Sequence, residues 1–557
     1  MIKLTVNKTS SKGIAIGKAY KYEKRMFIPD AYKLSSKDEE KAKFDSSVEK
    51  VAQDLSKLTE KNDVFEGHYQ LAIDPQIKET VYSKIDTDAT NAEISLKNTM
   101  DEFEQVFLSM DDDYMRQRAD DVKDIYQRIL AAMQNSSLAD LSNLDQDSII
   151  IAKDLAPSDT ATIDYNKVIG FATELGGVTS HVSIMARNKN LPALLGVGDL
   201  MDNVKSGDTI IIDAKAGEIF INPDQQTIDK YKAKKEKQLE MQAQLEKEAP
   251  LDAVTKDGKR ALVYANVGNV DDVQNAVKSY IDGIGLFRSE FLYMESNEFP
   301  SEEVQFEAYK QAVELCKGEV IIRTLDIGGD KELSYYEFEH EDNPFLGFRA
   351  IRLSLSMEDM FKTQLRAMLR ASAFGNLSIM YPMIVSMQEL DQANKLLQQC
   401  KHDLDNDGIA YNKDIKVGMM IETPSAVIEA DSFAQKVDFF SIGTNDLTQY
   451  LLAADRGNKK ISYLYDSFNP AVLHSIQHII DVGHKHNIIV GMCGEFASDE
   501  RACKLLLGMG LDEFSVSHTQ VSTVKHIIRN TTLEECKEIA KKIRNANTKE
   551  EIDSILD

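Results

Sequence analysis

The chain changes rhythm along its length. Residues 1–24 carry short apolar stretches broken by Gly13 and Gly17, the pattern of strands and turns. From about 36 to 142, apolar residues recur at helical spacing inside acidic, lysine-rich text, as in VEKVAQDLSKLTEK and RADDVKDIYQRILAAM, with Pro75 the one proline. That spacing predicts a helical block. Strand patterns return between 148 and 222, in SIIIAKDL, VIGFATEL and TIIIDAKAGEIFINP, where AKAG reads as a hairpin turn. The first and third segments are alike, so the helical block reads as an insertion into a small α/β domain. Residues 224–249 are rich in strong helix formers and lack Gly and Pro, which predicts a long polar helix linking two halves.

The second half repeats a different unit. ALVYANVG, GIGLFRSE, VIIRTLDIGG, LSIMYPMIVS, KVGMMIETP, FFSIGTNDL, IIVGMCGEF and FSVSHTQ are near-continuous apolar runs with helical stretches between most of them. Buried parallel strands read this way. Eight over this length predict a (β/α)8 barrel. The alternative, an open doubly wound sheet, lacks a GxGxxG opening its first unit. The expected organisation is a multidomain α/β protein. Residues 1–24 and 144–223 form the small domain, 25–143 the helical insert, 224–250 the linker and 251–557 the barrel.

Composition narrows the function classes. At 557 residues, three or four domains are expected, and 43% apolar with 28% charged residues excludes global disorder. Lys+Arg number 65 against 91 Asp+Glu, a net charge of −26. That balance disfavours nucleic acid and anionic membranes and suits a basic partner protein, or solubility alone. No apolar run approaches the ~18–20 residues of a membrane span, and the opening MIKLTVNKTSSKGIAIG lacks a signal-peptide core. The five cysteines, Cys316, Cys400, Cys493, Cys503 and Cys536, are scattered without a CxxC pair. A reducing cytoplasm is therefore the expected location.

A barrel should carry its chemistry at the C-terminal ends of its strands. There stand Arg288, Arg323 with Asp326, Glu422, Asn445 with Asp446, and Cys493. Guanidiniums suit carboxylate or phosphate oxygens. Glu422 and Asp446 are hard oxygen donors suited to Mg²⁺. Gly328-Gly329, Asp330, Lys331 and Arg456 add close backbone approach and more charge. The set fits a small, densely anionic ligand with a metal. Cys493, beside a glycine at the barrel mouth, is a candidate acid or nucleophile as well as a buried apolar residue. In the first half, ELGGVTSHVSIMARNKNLPALLGV places Gly176-Gly177 and Thr179-Ser180-His181 before an amphipathic helical run. A histidine at a helix start meets free amides and a positive dipole that favour a phosphoryl group and the neutral imidazole. His484 and His486, in GHKHN, read as a solvated helix end.

These motifs closely resemble the Enzyme I family of the bacterial sugar phosphotransferase system, the phosphoenolpyruvate–protein phosphotransferases. GGVTSHVSIMAR followed by LPA resembles the phosphohistidine signature that the family shares with pyruvate phosphate dikinase and phosphoenolpyruvate synthase. GLFRSEFLYM, RTLDIGGDKEL, NPFLGFRAIR, GMMIETPSA, FFSIGTNDLTQY with AADR, and GMCGE resemble the barrel motifs, in the family's order. The dikinase and synthase need an ATP-grasp domain, for which no room is expected before His181. The resemblance implies that His181 is phosphorylated on Nε2 and hydrogen-bonded by Thr160, and that Arg288, Arg323, Asn445, Asp446 and Arg456 bind phosphoenolpyruvate. It further implies that Glu422 and Asp446 hold Mg²⁺, that Lys331 and Arg349 support them, and that Cys493 protonates the enolate to give pyruvate. Val178 departs from the family's usual Arg. The helical insert is expected to dock the phosphocarrier HPr through segments holding Glu66, His68 and Lys123, and the barrel to form a homodimer. A phosphotransferase with a small-molecule acceptor, and a non-catalytic phosphoenolpyruvate sensor, are the alternatives.

Overall fold

The computed structural model describes the chain except residues 7–11, 24–25, 60–63, 110–112, 137–140, 142–143, 156–158, 161–162, 177–180, 190, 329–330, 332, 459 and 557. Within helices, the side chains of 57, 58, 64, 113–118, 120, 181, 184 and 188 also lie outside the description. The described chain forms two compact units, Met1–Glu240 and Met241–Asp557. The division falls inside the single helix Gln225–Glu248.

The first unit is built on a seven-stranded sheet. Its strands are β1 (Ile2–Thr5), β2 (Ile14–Tyr22), β3 (Ser148–Ala152), β4 (Val168–Thr173), β5 (Ala193–Leu194), β6 (Thr209–Asp213) and β7 (Glu218–Ile221), in the order β1-β7-β6-β2-β3-β4-β5. β6 and β7 are antiparallel, joined through AKAG. β2 and β3 flank the whole helical block in sequence yet pair in parallel, so the block is an insertion between two neighbouring strands. The insert comprises helices Lys37–Thr59, Val64–Ala72, Pro75–Thr87, Ala92–Leu108 and Asp113–Met133. Their apolar stripes meet in a separate core that includes Phe44, Leu55, Phe65, Leu96 and Ile129, which is how helices of modest intrinsic stability become fixed.

The second unit is a closed barrel of eight parallel strands: β8 (Leu262–Val267), β9 (Gly283–Arg288), β10 (Val320–Arg323), β11 (Leu377–Tyr381), β12 (Val417–Ile421), β13 (Phe439–Ile442), β14 (Ile489–Met492) and β15 (Glu513–Ser517), with β15 returning to pair with β8. Each of the eight apolar runs read from the sequence supplies one strand. Alternate residues point outward into the layer between strands and helices, as do Val320, Ile322, Phe440, Ile442, Val490, Met492, Phe514 and Val516. The other set points inward, where Leu286, Ile321, Met380, Met420, Phe439 and Cys493 form a small inner core. Among the described residues no helix is long and apolar enough to cross a membrane.

Candidate active site at the barrel mouth

The strand-end residues named from the sequence converge on one cavity of about 900 Å³, lined among others by Arg288, Arg323, Asp326, Lys331, Arg349, Glu422, Asn445, Asp446, Arg456 and Cys493. Arg323 ends β10 and is buried. Its guanidinium donates to Glu290 Oε1 at 2.7 Å and lies 2.9 Å from Asp326 Oδ2. Asp326, 1% exposed, also accepts from Arg349 at 2.8 Å and lies 3.6 Å from Lys331 Nζ. Lys331 reaches Glu290 Oε1 at 2.9 Å. Burial pushes Asp326 up, but Arg323, Lys331 and Arg349 outweigh it and hold the carboxyl well below the usual range. Burial likewise pushes Glu290 up, and Arg323 with Lys331 bring it below its ordinary value. These carboxylates fix the cations in place before any ligand arrives.

The cations keep capacity for a ligand. The buried Nε atoms of Arg288, Arg323 and Arg349 have no hydrogen-bond partner among the described residues. The Arg288 guanidinium stacks 5.0 Å from the Phe291 ring. The backbone after β10 turns back at Gly328, where φ is +102° and a Cβ would stand 2.7 Å from that of Arg349. Only glycine fits both demands. Gly329 and Asp330 lie outside the described residues.

Opposite stand the carboxylates of Glu422 and Asp446. Glu422 accepts from the Met383 amide at 2.7 Å, and Met383 holds an unusual φ of +57° to deliver it. Burial, then the charges of Asp446 and Asp326, push Glu422 above its ordinary value, and Arg323 and Arg349 offset this only in part. Asp446 Oδ1 is buried without a hydrogen-bond partner among the described residues, 3.8 Å from Arg456, while Oδ2 lies 3.6 Å from Arg349. The Asn445 side chain accepts from the Glu495 amide at 3.3 Å. Cys493, just past β14, is 7% exposed, and burial pushes its thiol up to about 12, so it carries its proton at neutral pH. Three contributors escaped the sequence reading: Glu290, Met383 and Asn266. Asn266 donates to the Cys493 carbonyl at 3.0 Å and to that of Ser515 at 3.1 Å.

In the first unit, His181 opens helix His181–Asn188. Its side chain, and Gly177, Val178, Thr179 and Ser180, lie outside the described residues. Thr160 is buried, and its carbonyl accepts from Tyr165 Oη at 2.7 Å. On the insert, Glu66 is exposed and accepts from Gln70. Lys123 is exposed and lies 3.1 Å from Glu104. His68 is only 2% exposed, with Nε2 2.9 Å from Asp121, so it is not presented to a partner. In GHKHN, His484 pairs with Asp512 and His486 with Asp431. Among the described residues no group of three or more His, Cys, Asp or Glu converges as a metal site.

Five cations set among six carboxylates line one barrel mouth, and the unbonded guanidinium nitrogens among them suit a small polyanion. Sequence comparison agrees in kind. Residues 242–533 match the model for the PEP-binding domain of PEP-utilising enzymes, residues 144–217 that for their mobile domain, and residues 8–118 that for their N-terminal domain. The phosphoenolpyruvate-protein phosphotransferase of Mycoplasma capricolum is 42% identical over 98% of this chain and 97% of its own. That of Bacillus subtilis is 42% identical over 98% and 97%, and that of Haemophilus influenzae 42% over the same shares. The chain belongs to the phosphoenolpyruvate-protein phosphotransferase family.

Proposed function

We propose that the chain transfers the phosphoryl group of phosphoenolpyruvate to its own His181 and then to a histidine of HPr, releasing pyruvate. The observation that carries this reading is the charge pattern of the mouth. Arg288, Arg323, Lys331, Arg349 and Arg456 line the same cavity as Asp272, Glu290, Asp326, Glu422, Asp446 and Glu495, so five cations stand among six carboxylates. A divalent cation would offset those carboxylates and leave the mouth net positive toward a phosphoenolpyruvate trianion. The donor set fits Mg²⁺: two buried carboxylates repel each other, and one offers an orphaned oxygen. Glu422 and Asp446 would hold the ion, which would supply charge neutralisation on the ligand's oxygens.

The chain's own groups do the rest. Arg288 and Arg323 hold the phosphoryl oxygens, and Arg456 with Asn445 the remaining anionic oxygens. These donors are in place before charge develops, which is how preorganised sites lower a barrier. Lys331 and Arg349 help keep Asp326 ionised, and Arg349 also positions Asp446. The His181 imidazole takes the phosphoryl group in line, with Thr160 orienting it. Cys493, still a thiol at neutral pH, gives its proton to the enolate carbon. One histidine then serves two partners, and the helix Gln225–Glu248, which spans the division between units, is the place for a hinge.

The acceptor surface is read on the helical insert. A cavity of about 540 Å³ there is lined by Gly67, Leu71, Ile73, Pro75, Phe107 and Asp121 among others. Ile73, just past helix Val64–Ala72, and Leu108, the last residue of helix Ala92–Leu108, are exposed apolar residues. Together with Glu66, this apolar and acidic face suits a basic, apolar-centred HPr. The barrel unit exposes Leu346, Ile428 and Tyr463, which supports a homodimer through that unit. The cytoplasm is the matching location. The test incubates the full chain with Mg²⁺ and labelled phosphoenolpyruvate, without nucleotide, beside His181→Ala. Acid-labile label on the wild type alone, chased onto HPr, is expected. Label that persists in the variant would overturn the assignment, and label that passes to a small molecule would favour the alternative acceptor.

A further inference from the structure

Beneath the mouth, the barrel interior holds two buried polar groups, Glu513 and Ser441. Strand register sets Ser441 of β13 beside Gly491 of β14, and Gly491 beside Glu513 of β15. All three face inward, because their neighbours Phe440, Val490 and Phe514 occupy the outer layer. Glu513 is 4% exposed and Ser441 1%. Glu513 Oε1 and Ser441 Oγ are both buried without a hydrogen-bond partner among the described residues. A Cβ on Gly491 would stand 2.1 Å from Glu513 Oε2, and one on Gly285 2.2 Å from Oε1. Two strands thus give up side chains so that a carboxyl can occupy the barrel's centre.

Cys493 is the next inward position of β14 above Gly491, roughly 7 Å along the strand. The unbonded Ser441 Oγ and Glu513 Oε1 are polar partners of the kind a buried water needs. The thiol senses all of this: Ser441 lowers its pKa, and Glu422 and Glu513 raise it. Below, Glu319 faces Glu513 and reaches the lower rim, accepting from Ser378 at 2.6 Å and from Lys416 at 3.2 Å. Asp512 and Tyr264 are the other titratable neighbours of Glu513. Burial, with Glu319 and Asp512, pushes Glu513 up to about 8, which leaves it a proton to give.

We propose that Glu513, a bridging water and Ser441 form an internal proton path beneath Cys493, returning to the sulfur the proton that it gives to the enolate carbon. The inference rests on the reading of Cys493 as the acid. As the C–H bond forms on the enolate, the S–H bond breaks and leaves a thiolate. The Ser441 hydroxyl proton moves to sulfur while a bridging water gives a proton to the Ser441 oxygen and takes the Glu513 carboxyl proton. The Glu513 carboxylate then regains a proton from solvent on the Glu319 side. No electrons change hands.

The test reads proton traffic separately from phosphoryl transfer. The full chain, Mg²⁺, phosphoenolpyruvate and labelled pyruvate are equilibrated in deuterated water. Deuterium wash-in at the pyruvate methyl group is divided by exchange of labelled pyruvate into phosphoenolpyruvate. In Glu513→Gln this ratio is expected to fall at least tenfold, because the abstracted proton returns before it is lost. Ser441→Ala, which deletes one hydroxyl, should lower the ratio in the same direction and carries the test if Glu513→Gln unfolds. A ratio within twofold of wild type in the folded variants overturns the path. Wild-type wash-in by Cys493→Ala would overturn it differently, by removing the acid assignment beneath it.

Discussion

Asp326 is the keystone of the cation cluster, and Asp326→Asn is the most informative perturbation of it. Its carboxylate, 1% exposed, sits 2.8 Å from Arg349, 2.9 Å from Arg323 and 3.6 Å from Lys331. The substitution keeps the shape and removes the charge. Breaking a buried ion pair from one side costs about 3–5 kcal/mol, since the remaining charge stays desolvated. Arg323 retains Glu290 at 2.7 Å, and Arg349 retains Asp446 at 3.6 Å, and the amide oxygen still accepts one bond. The low end, about 3 kcal/mol, is therefore expected. At about 2–4 °C per kcal/mol, the barrel transition should fall by about 6–12 °C in calorimetry of the full chain. The lost negative charge also makes the mouth more positive, so inorganic phosphate should raise the variant's transition more than the wild type's. A drop of less than about 1 kcal/mol, or equal stabilisation of both proteins by phosphate, would refute the charge accounting.

Three further outcomes follow from the same geometry. Glu422 must be ionised to hold a metal, and its neighbours push its pKa up, so Mg²⁺ affinity should rise with pH, by at most about tenfold per unit; titration calorimetry showing no pH dependence would contradict this. Glu513 binds a proton in the folded barrel between its ordinary 4.5 and about 8, where the unfolded chain does not. Stability should therefore fall as pH rises through that window, by up to about 1.4 kcal/mol per unit, and Glu513→Gln should flatten the slope in denaturation at pH 6, 7 and 8. Ile73→Asp, which sets a charge on the apolar face of the insert, should slow transfer to HPr by about tenfold or more, with label formation from phosphoenolpyruvate as the control.

The barrel and most of its mouth could be read from the chain because parallel strands write themselves plainly. A strand buried on both faces is an apolar run, and the polar residue that ends it is where chemistry sits. Arg288, Arg323, Glu422, Asp446 and Cys493 all follow that rule. Asn266 and Glu513 do not. One lies inside the run ALVYANVG and the other opens FSVS from a loop-like LDE, and only strand pairing shows that both point to the barrel axis. Glu290 sits past the strand end in a helix start, where acidic residues are commonplace. Met383 owes its role to a backbone angle that side-chain pattern does not encode. His68 shows the reverse case. It stands three residues after Phe65 and four before Ala72, on the buried stripe of its helix, so periodicity marks it as interior and not as a contact.

The central claim is that phosphoenolpyruvate phosphorylates His181. It is tested most directly by ³¹P NMR of the full chain with Mg²⁺ and a small excess of phosphoenolpyruvate, without nucleotide. The account predicts one protein-bound resonance of the Nε2-phosphoimidazole type, growing with pyruvate in equal amounts, absent from His181→Ala and discharged by HPr. Pyruvate accompanied only by inorganic phosphate, or the same resonance in His181→Ala, would contradict it.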